Sequence, residues 1–207
     1  MTPRIAILIS GRGSNMEAIA RQVLGGALAG CCEIAAVISS RPAAPGLVLA
    51  RELGLETLAL DARGLGRDAY DDALLAALEQ CRADVVLLAG YMRILSPRVV
   101  ARYRGRILNI HPADTALHQG LGGYTWAFAQ QLPSTKITVH LVDEGLDTGA
   151  VLAQREVDLR GAGTLAEVER RGLAVEHQLY PEAIKTFLTT NYTNSANGTL
   201  STPVKGT

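Results

Sequence analysis

The sequence predicts an α/β fold: one Rossmann-like domain with a mostly parallel sheet and helices on both faces. Three observations carry this expectation. Short, nearly continuous apolar runs alternate with longer stretches of helical period. The runs lack the strict polar alternation of a one-sided antiparallel sheet, so they read as strands buried on both faces. Polar, glycine-bearing segments fall directly after the runs, where open parallel sheets bind ligands.

Ile5-Ala6-Ile7-Leu8-Ile9 is the first strand, ended by Ser10-Gly11. Asn15 is placed to cap a helix from Met16 to about Leu24, with Glu17 near its positive end. Ile34 to Ile38 is a second strand, closed by Ser39-Ser40-Arg41-Pro42. A helix over about 46–53, a short strand near 57–60 and an amphipathic helix over 67–82 follow, the last with Leu74, Leu75 and Leu78 on its apolar side. Asp84 to Ala89 is another buried strand. Ser96-Pro97 opens a helix, because proline suits the first helical position. The strand from Arg106 to His111 stops at Pro112, and 112–123 is a loop bearing Gly120, Gly122 and Gly123. A short helix covers about 124–131, and strands near 136–142 and 151–157 flank the segment 143–149. Thr164 with Glu167 makes a capping box that opens a helix to about Phe187, bent at Pro181. The domain therefore covers 1–188, and 189–207 is a polar, low-complexity, flexible tail.

Composition narrows the function. Of 207 residues, 48% are hydrophobic and 19% charged, which suits one sizeable core and excludes a disordered chain. Lys+Arg and Asp+Glu each total 20, so there is no basic excess for non-specific nucleic-acid binding, and a bound anion needs a local site. Cys31, Cys32 and Cys81 are an odd set without zinc spacing, as expected of small residues in a reducing compartment. The histidines at 111, 118, 140 and 177 show no H-x-x-x-H pairing, so no metal is expected. No stretch approaches the roughly 20 apolar residues of a membrane helix, and the amino terminus lacks a signal-peptide core. The chain reads as cytoplasmic, with small-molecule partners, no membrane partner and an oligomeric state that the sequence leaves open.

Two segments carry chemistry. The first strand runs into Ser10-Gly11-Arg12-Gly13-Ser14-Asn15 and then a helix. Glycines let backbone approach a ligand closely, and the helix start offers unpaired N–H groups, which together suit a phosphate. A dinucleotide fingerprint fails, because Met16 stands at its third glycine and no acid ends the second strand. A Walker loop fails for want of a lysine. The second segment is Asn109-Ile110-His111-Pro112. Alternation puts Asn109 and His111 on one face at the end of an apolar strand, where burying them without partners costs several kcal/mol. Asp147, in Asp143-Glu144-Gly145-Leu146-Asp147-Thr148-Gly149, is a candidate partner. A carboxylate beside His111 would raise the imidazole pKa, and an amide with an imidazolium would suit a developing oxyanion. No G-x-S-x-G elbow supports a serine hydrolase.

The segments IAILISGRGSNMEAI, VISSRP, GRDAYD, DVVLLAGYMRILSP, ILNIHP, TVHLVDEGLDTGAVLAQ and EHQLYP run in order from residue 5 to about 181. Together they resemble the phosphoribosylglycinamide formyltransferase family, folate-dependent enzymes of purine synthesis. The resemblance implies a formyl transfer from 10-formyltetrahydrofolate to the amine of phosphoribosylglycinamide, without metal. It implies that Gly13, Ser14 and Asn15 hold the substrate phosphate and that Glu176 meets the ribose hydroxyls. Arg67, Met92, Arg93, Ile94 and Leu95 would line the folate site with Asp143, Glu144, Gly145 and Leu146. Asn109, His111 and Asp147 would be the catalytic group, with Asp147 keeping His111 charged. From the residues alone, Arg67 is a solvated arginine at a helix start, and Met92 and Leu95 are core. After Asn-Ile-His-Pro the family usually continues Ser-Leu-Leu-Pro-x-Phe-x-Gly, whereas this chain has Ala113-Asp114-Thr115-Ala116-Leu117-His118-Gln119-Gly120, and Gly122 replaces a histidine. That departure bears on the acceptor. A formyltransferase for another amine and a non-catalytic folate or phosphometabolite binder are the competing readings.

Overall fold

Seven strands form one sheet in the computed structural model, which describes residues 2–192. They are β1 (Arg4–Ile9), β2 (Glu33–Ser39), β3 (Thr57–Ala59), β4 (Val85–Leu88), β5 (Ile107–His111), β6 (Ser134–Leu141) and β7 (Val151–Asp158). Six helices accompany them: α1 (Ser14–Gly25), α2 (Pro45–Glu52), α3 (Arg67–Gln80), α4 (Pro97–Arg102), α5 (Gly123–Ala129) and α6 (Leu165–Tyr192). The strand order is β3-β2-β1-β4-β5-β6-β7. The first five run parallel, and β6 and β7 are antiparallel to their neighbours. The order reverses between β1 and β4, the crevice where open sheets of this kind hold ligands.

Alternation along the strands divides the core in two. Ile5, Ile7, Ile9, Val85, Leu87, Leu108 and Ile110 face α1, α2, α5 and α6. Ala6, Leu8, Ile38, Val86, Leu88 and Ile107 face α3 and α4. Both sets are buried, which explains why the strands read as unbroken apolar runs. Asn109 and His111 continue the second face beyond Ile107. The second cluster includes no buried residue of β6 or β7. On that stretch of sheet, the loops at 112–122 and 142–150 take the place of a helix.

Most expected elements appear within a residue or two of their predicted ends. The cap of α1 differs: Gly13, in the left-handed region at φ 82°, occupies it, and no side chain caps the helix. Ser96 caps α4 as predicted, its hydroxyl accepting from Val99 N at 3.4 Å. Thr164 accepts from Glu167 N at 3.2 Å, while the Glu167 carboxylate pairs with Arg170 and Arg171. Helix α6 continues through Pro181 to Tyr192, so the first four residues of the predicted tail are helical, and 193–207 lie outside the described residues. No described helix is long and apolar enough to cross a membrane.

Candidate active site

The turn after β1 brings backbone against backbone. A Cβ at Gly13 would lie 2.9 Å from Gly46 Cα, and Gly46 N donates to Gly11 O at 3.0 Å. Glycine at both positions lets the start of α1 pack on the start of α2, leaving the Ser14 and Asn15 amides at the positive end of a twelve-residue helix.

Helix α6 supplies the next layer through residues four apart, which share a face. Tyr180 is fully buried, and its hydroxyl reaches Leu88 O at 3.1 Å, the last residue of β4, and Leu108 O at 2.9 Å, the second residue of β5. Glu176, one turn earlier, is 4% exposed. Its carboxylate accepts from the Asn15 amide on one oxygen and from the Tyr124 hydroxyl on the other. Burial pushes this carboxyl pKa up, and the two donors moderate the rise without cancelling it.

Asp147 completes a group with Asn109 and His111. The β6–β7 hairpin begins beside the start of β5, where Val142 N donates to Ile107 O at 2.9 Å. It then folds back over the sheet, with Asp147 in the left-handed region at φ 53°. Asp147 Oδ2 lies 3.4 Å from His111 Nδ1 and accepts from Gly120 N at 2.8 Å. Its Oδ1 lies 3.4 Å from Asn109 Nδ2 and 3.4 Å from His140 Nε2. Burial opposes the Asp147 charge, but the His140 ring, the Gly120 N–H and the neighbouring imidazoles outweigh it and hold the carboxyl below its ordinary value.

The sequence reading assigns no role to His140. It is fully enclosed, pairs across the ladder with Asn109, and brings Nε2 within 3.1 Å of the Asn109 amide. Its Nδ1 donates to Leu141 O at 2.8 Å. The available signal was a histidine at the end of TVHLV, but its meaning depends on an antiparallel register that short-range pattern does not reveal.

His111 requires a correction. Burial dominates and lowers its pKa; Asp147 and the His118 carbonyl pull it up without overcoming burial, and His140 and His118 add to the lowering. Burial thus disfavours the imidazolium that the sequence expects Asp147 to maintain. The His111 Nε2 lies 3.0 Å from His118 O, so acceptors flank both ring nitrogens.

The atypical loop wraps this group. Asp114 anchors it, pairing with Lys136 at 2.7 Å and accepting from Gln154 at 3.3 Å. The His118 ring stacks on Trp126, with centroids 4.8 Å apart and 12° between planes. Gly120 contacts Asp147, and Gly122 turns the chain into α5 at φ 81°.

The expected folate-lining residues occupy three segments, with Arg67 at the start of α3. Met92 N donates to Ser10 Oγ at 2.9 Å, which ties the turn after β4 to the end of β1. Arg93 lies over the Tyr70 ring at 4.2 Å, and Tyr70, one turn along α3 from Arg67, shares a hydrogen bond with Tyr91. Met92 and Ile94 are exposed, whereas Leu95 belongs to the core beneath α4. Asp143 accepts from Gly145 N and Thr148, Glu144 pairs with Arg104 at 3.2 Å, and half-exposed Leu146 lies beside Gly120. A concavity of about 650 Å³ between α5 and the 159–163 turn involves none of these residues. Cys31, Cys32 and Cys81 are free thiols, and no group of three metal-ligating side chains gathers among the described residues.

A sequence model described as formyl transferase matches residues 3–184. The chain is 37% identical over 184 residues to the phosphoribosylglycinamide formyltransferase of Escherichia coli, covering 88% of this chain and 86% of that one. It is 35% identical over 182 residues to the trifunctional purine biosynthetic protein adenosine-3 of Drosophila melanogaster, covering 87% of this chain but 14% of that longer one. The crystal structure of glycinamide ribonucleotide transformylase 1 from Symbiobacterium toebii superposes with a TM-score of 0.87 at 37% identity, covering 92% of this chain and 89% of that one.

Proposed function

The chain belongs to the formyl transferase family, and we propose that it transfers a formyl group from 10-formyltetrahydrofolate to the primary amine of phosphoribosylglycinamide, a step of purine biosynthesis in the cytoplasm. The observation that carries this reading is Asp147 meeting Asn109 and His111 from a hairpin 36 residues downstream of the histidine.

In this reading the amides at the start of α1, with Gly13, Ser14 and Asn15, hold the phosphate, and Glu176 accepts from the ribose hydroxyls. Met92, Ile94 and Leu146 offer apolar surface to the folate, with Arg67, Arg93, Leu95, Asp143, Glu144 and Gly145 around them. Holding amine and formyl carbon together removes much of the entropic cost of their encounter. The neutral amine attacks and the carbonyl oxygen gains charge. The Asn109 amide hydrogen that spans 3.4 Å to Asp147 turns to that oxygen. The proton released by the amine is taken up by the Asp147–His111 pair. The His111 imidazolium lies between the Asp147 carboxylate and the His118 carbonyl, and its charge faces the oxyanion. The proton passes to the folate nitrogen as its bond to the formyl carbon breaks.

Incubation with 10-formyltetrahydrofolate and phosphoribosylglycinamide, followed through folate absorbance, tests the assignment. Turnover is expected. Turnover only with a different amine, or binding without turnover, would replace it with one of the two competing readings.

A further inference from the structure

Tyr124 and Gly172 form a built feature that the proposed chemistry does not use. Gly172 is buried inside α6, a poor place for glycine. A Cβ there would overlap the ring and hydroxyl of Tyr124. The phenol therefore lies across α6 in the space of the missing side chain, and its hydroxyl reaches the Glu176 carboxylate one turn on. Asn15 approaches the other carboxylate oxygen from α1. A carboxylate accepts and does not donate, so the Asn15 nitrogen must face it. Asn15, 7% exposed, is left with a buried Oδ1 that has no partner. An orphaned acceptor beside a buried carboxylate calls for a donor that the protein does not supply, and ligand hydroxyls are such donors.

We propose that Tyr124 is a positioning residue of the acceptor site: seated in the gap at Gly172, its hydroxyl fixes the Glu176 carboxylate so that this group and Asn15 Oδ1 receive the hydroxyls of a phosphoribosyl substrate. This rests on the reading of Glu176 as the ribose acceptor. The ring comes from the start of α5, directly after the atypical loop, so the departure there includes a part of the acceptor site. Tyr124 from α5 and Asn15 from α1 are the groups that hold the Glu176 charge, and loss of either donor makes the carboxylate easier to protonate.

The test compares wild type, Tyr124→Phe and Gly172→Ala by steady-state kinetics and by calorimetric titration with phosphoribosylglycinamide. Tyr124→Phe keeps the ring in place, so it remains informative if Gly172→Ala folds poorly. The expected result is a rise of about tenfold in KM and Kd for phosphoribosylglycinamide, with kcat and the KM for formyl-folate within twofold. The acid limb of kcat/KM for the acceptor should also move to higher pH, which a merely structural role would not cause. Unchanged acceptor affinity and acid limb in Tyr124→Phe, or equal losses for both substrates, would overturn the proposal while leaving the formyl-transfer reading intact. If wild type binds phosphoribosylglycinamide without formylating it, that reading fails and the binding comparison alone judges Tyr124. Absence of binding to wild type would overturn both.

Discussion

Asp147, Glu176 and His111 each depart from the ordinary behaviour of their side chains for a physical reason. Asp147 sits at φ 53°, where an L-residue is strained but Asn and Asp are the best tolerated. Glu176 is buried with two hydrogen bonds but no positive partner, so its charged form is disfavoured. Because its folded pKa lies above the 4.5 of a free glutamate, the fold binds its proton more tightly than the unfolded chain does. The buried charge therefore costs stability at pH 8, and the cost is relieved as pH falls through the folded pKa. Glu176→Gln should raise the melting temperature at pH 8 by roughly 2–8 °C, on the order of 1–2 kcal/mol, because it removes a buried charge that has no positive partner. The advantage should shrink as pH approaches 4.5, and affinity for the acceptor should fall. Thermal melts across that range check it; a lower melting temperature at pH 8 would mean that the carboxylate stabilises the fold. His111 shows what sequence could not supply. The neighbouring carboxylate was legible as a candidate, but the degree of burial, which decides the sign of the pKa shift, was not.

At the scale of elements, the strands were legible because burial on both faces leaves an unbroken apolar run. The α1 cap was not: Asn15 looks like a capping residue, yet its side chain is claimed by Glu176, 161 positions along the chain. Nor was the coverage of β5 and β6 by loops. Asn109 and His111 were found from alternation alone, but His140 required the antiparallel register that sets it opposite Asn109. The loop at 112–122 depends on Asp114, whose pKa is lowered chiefly by the Lys136 ammonium. Asp114→Asn should loosen this loop, with faster amide exchange over 115–121 and a several-fold lower kcat, since the same loop carries the His118 carbonyl and Gly120 N–H. Exchange by mass spectrometry, compared with wild type, checks it; unchanged protection would show that the loop holds without its anchor.

Across the whole molecule, one sheet brings distant segments to a single site. The reversal of strand order opens the crevice, α6 ties the glycine loop to β4 and β5 through Glu176 and Tyr180, and the last hairpin folds Asp147 back over a face that no helix covers. That the chain folds as a mostly parallel α/β sheet was readable from strand and helix alternation, whereas the return of the hairpin was a matter of tertiary structure. The rate of formyl transfer in a single turnover by Asp147→Asn puts the assembled group to the test, because asparagine keeps the backbone conformation and the shape while removing the charge and turning one acceptor oxygen into a donor. A rate about 10²–10³ below wild type, with both substrates bound as before, is the expected result. A rate close to wild type would contradict the assignment of Asp147, Asn109 and His111 to the reaction.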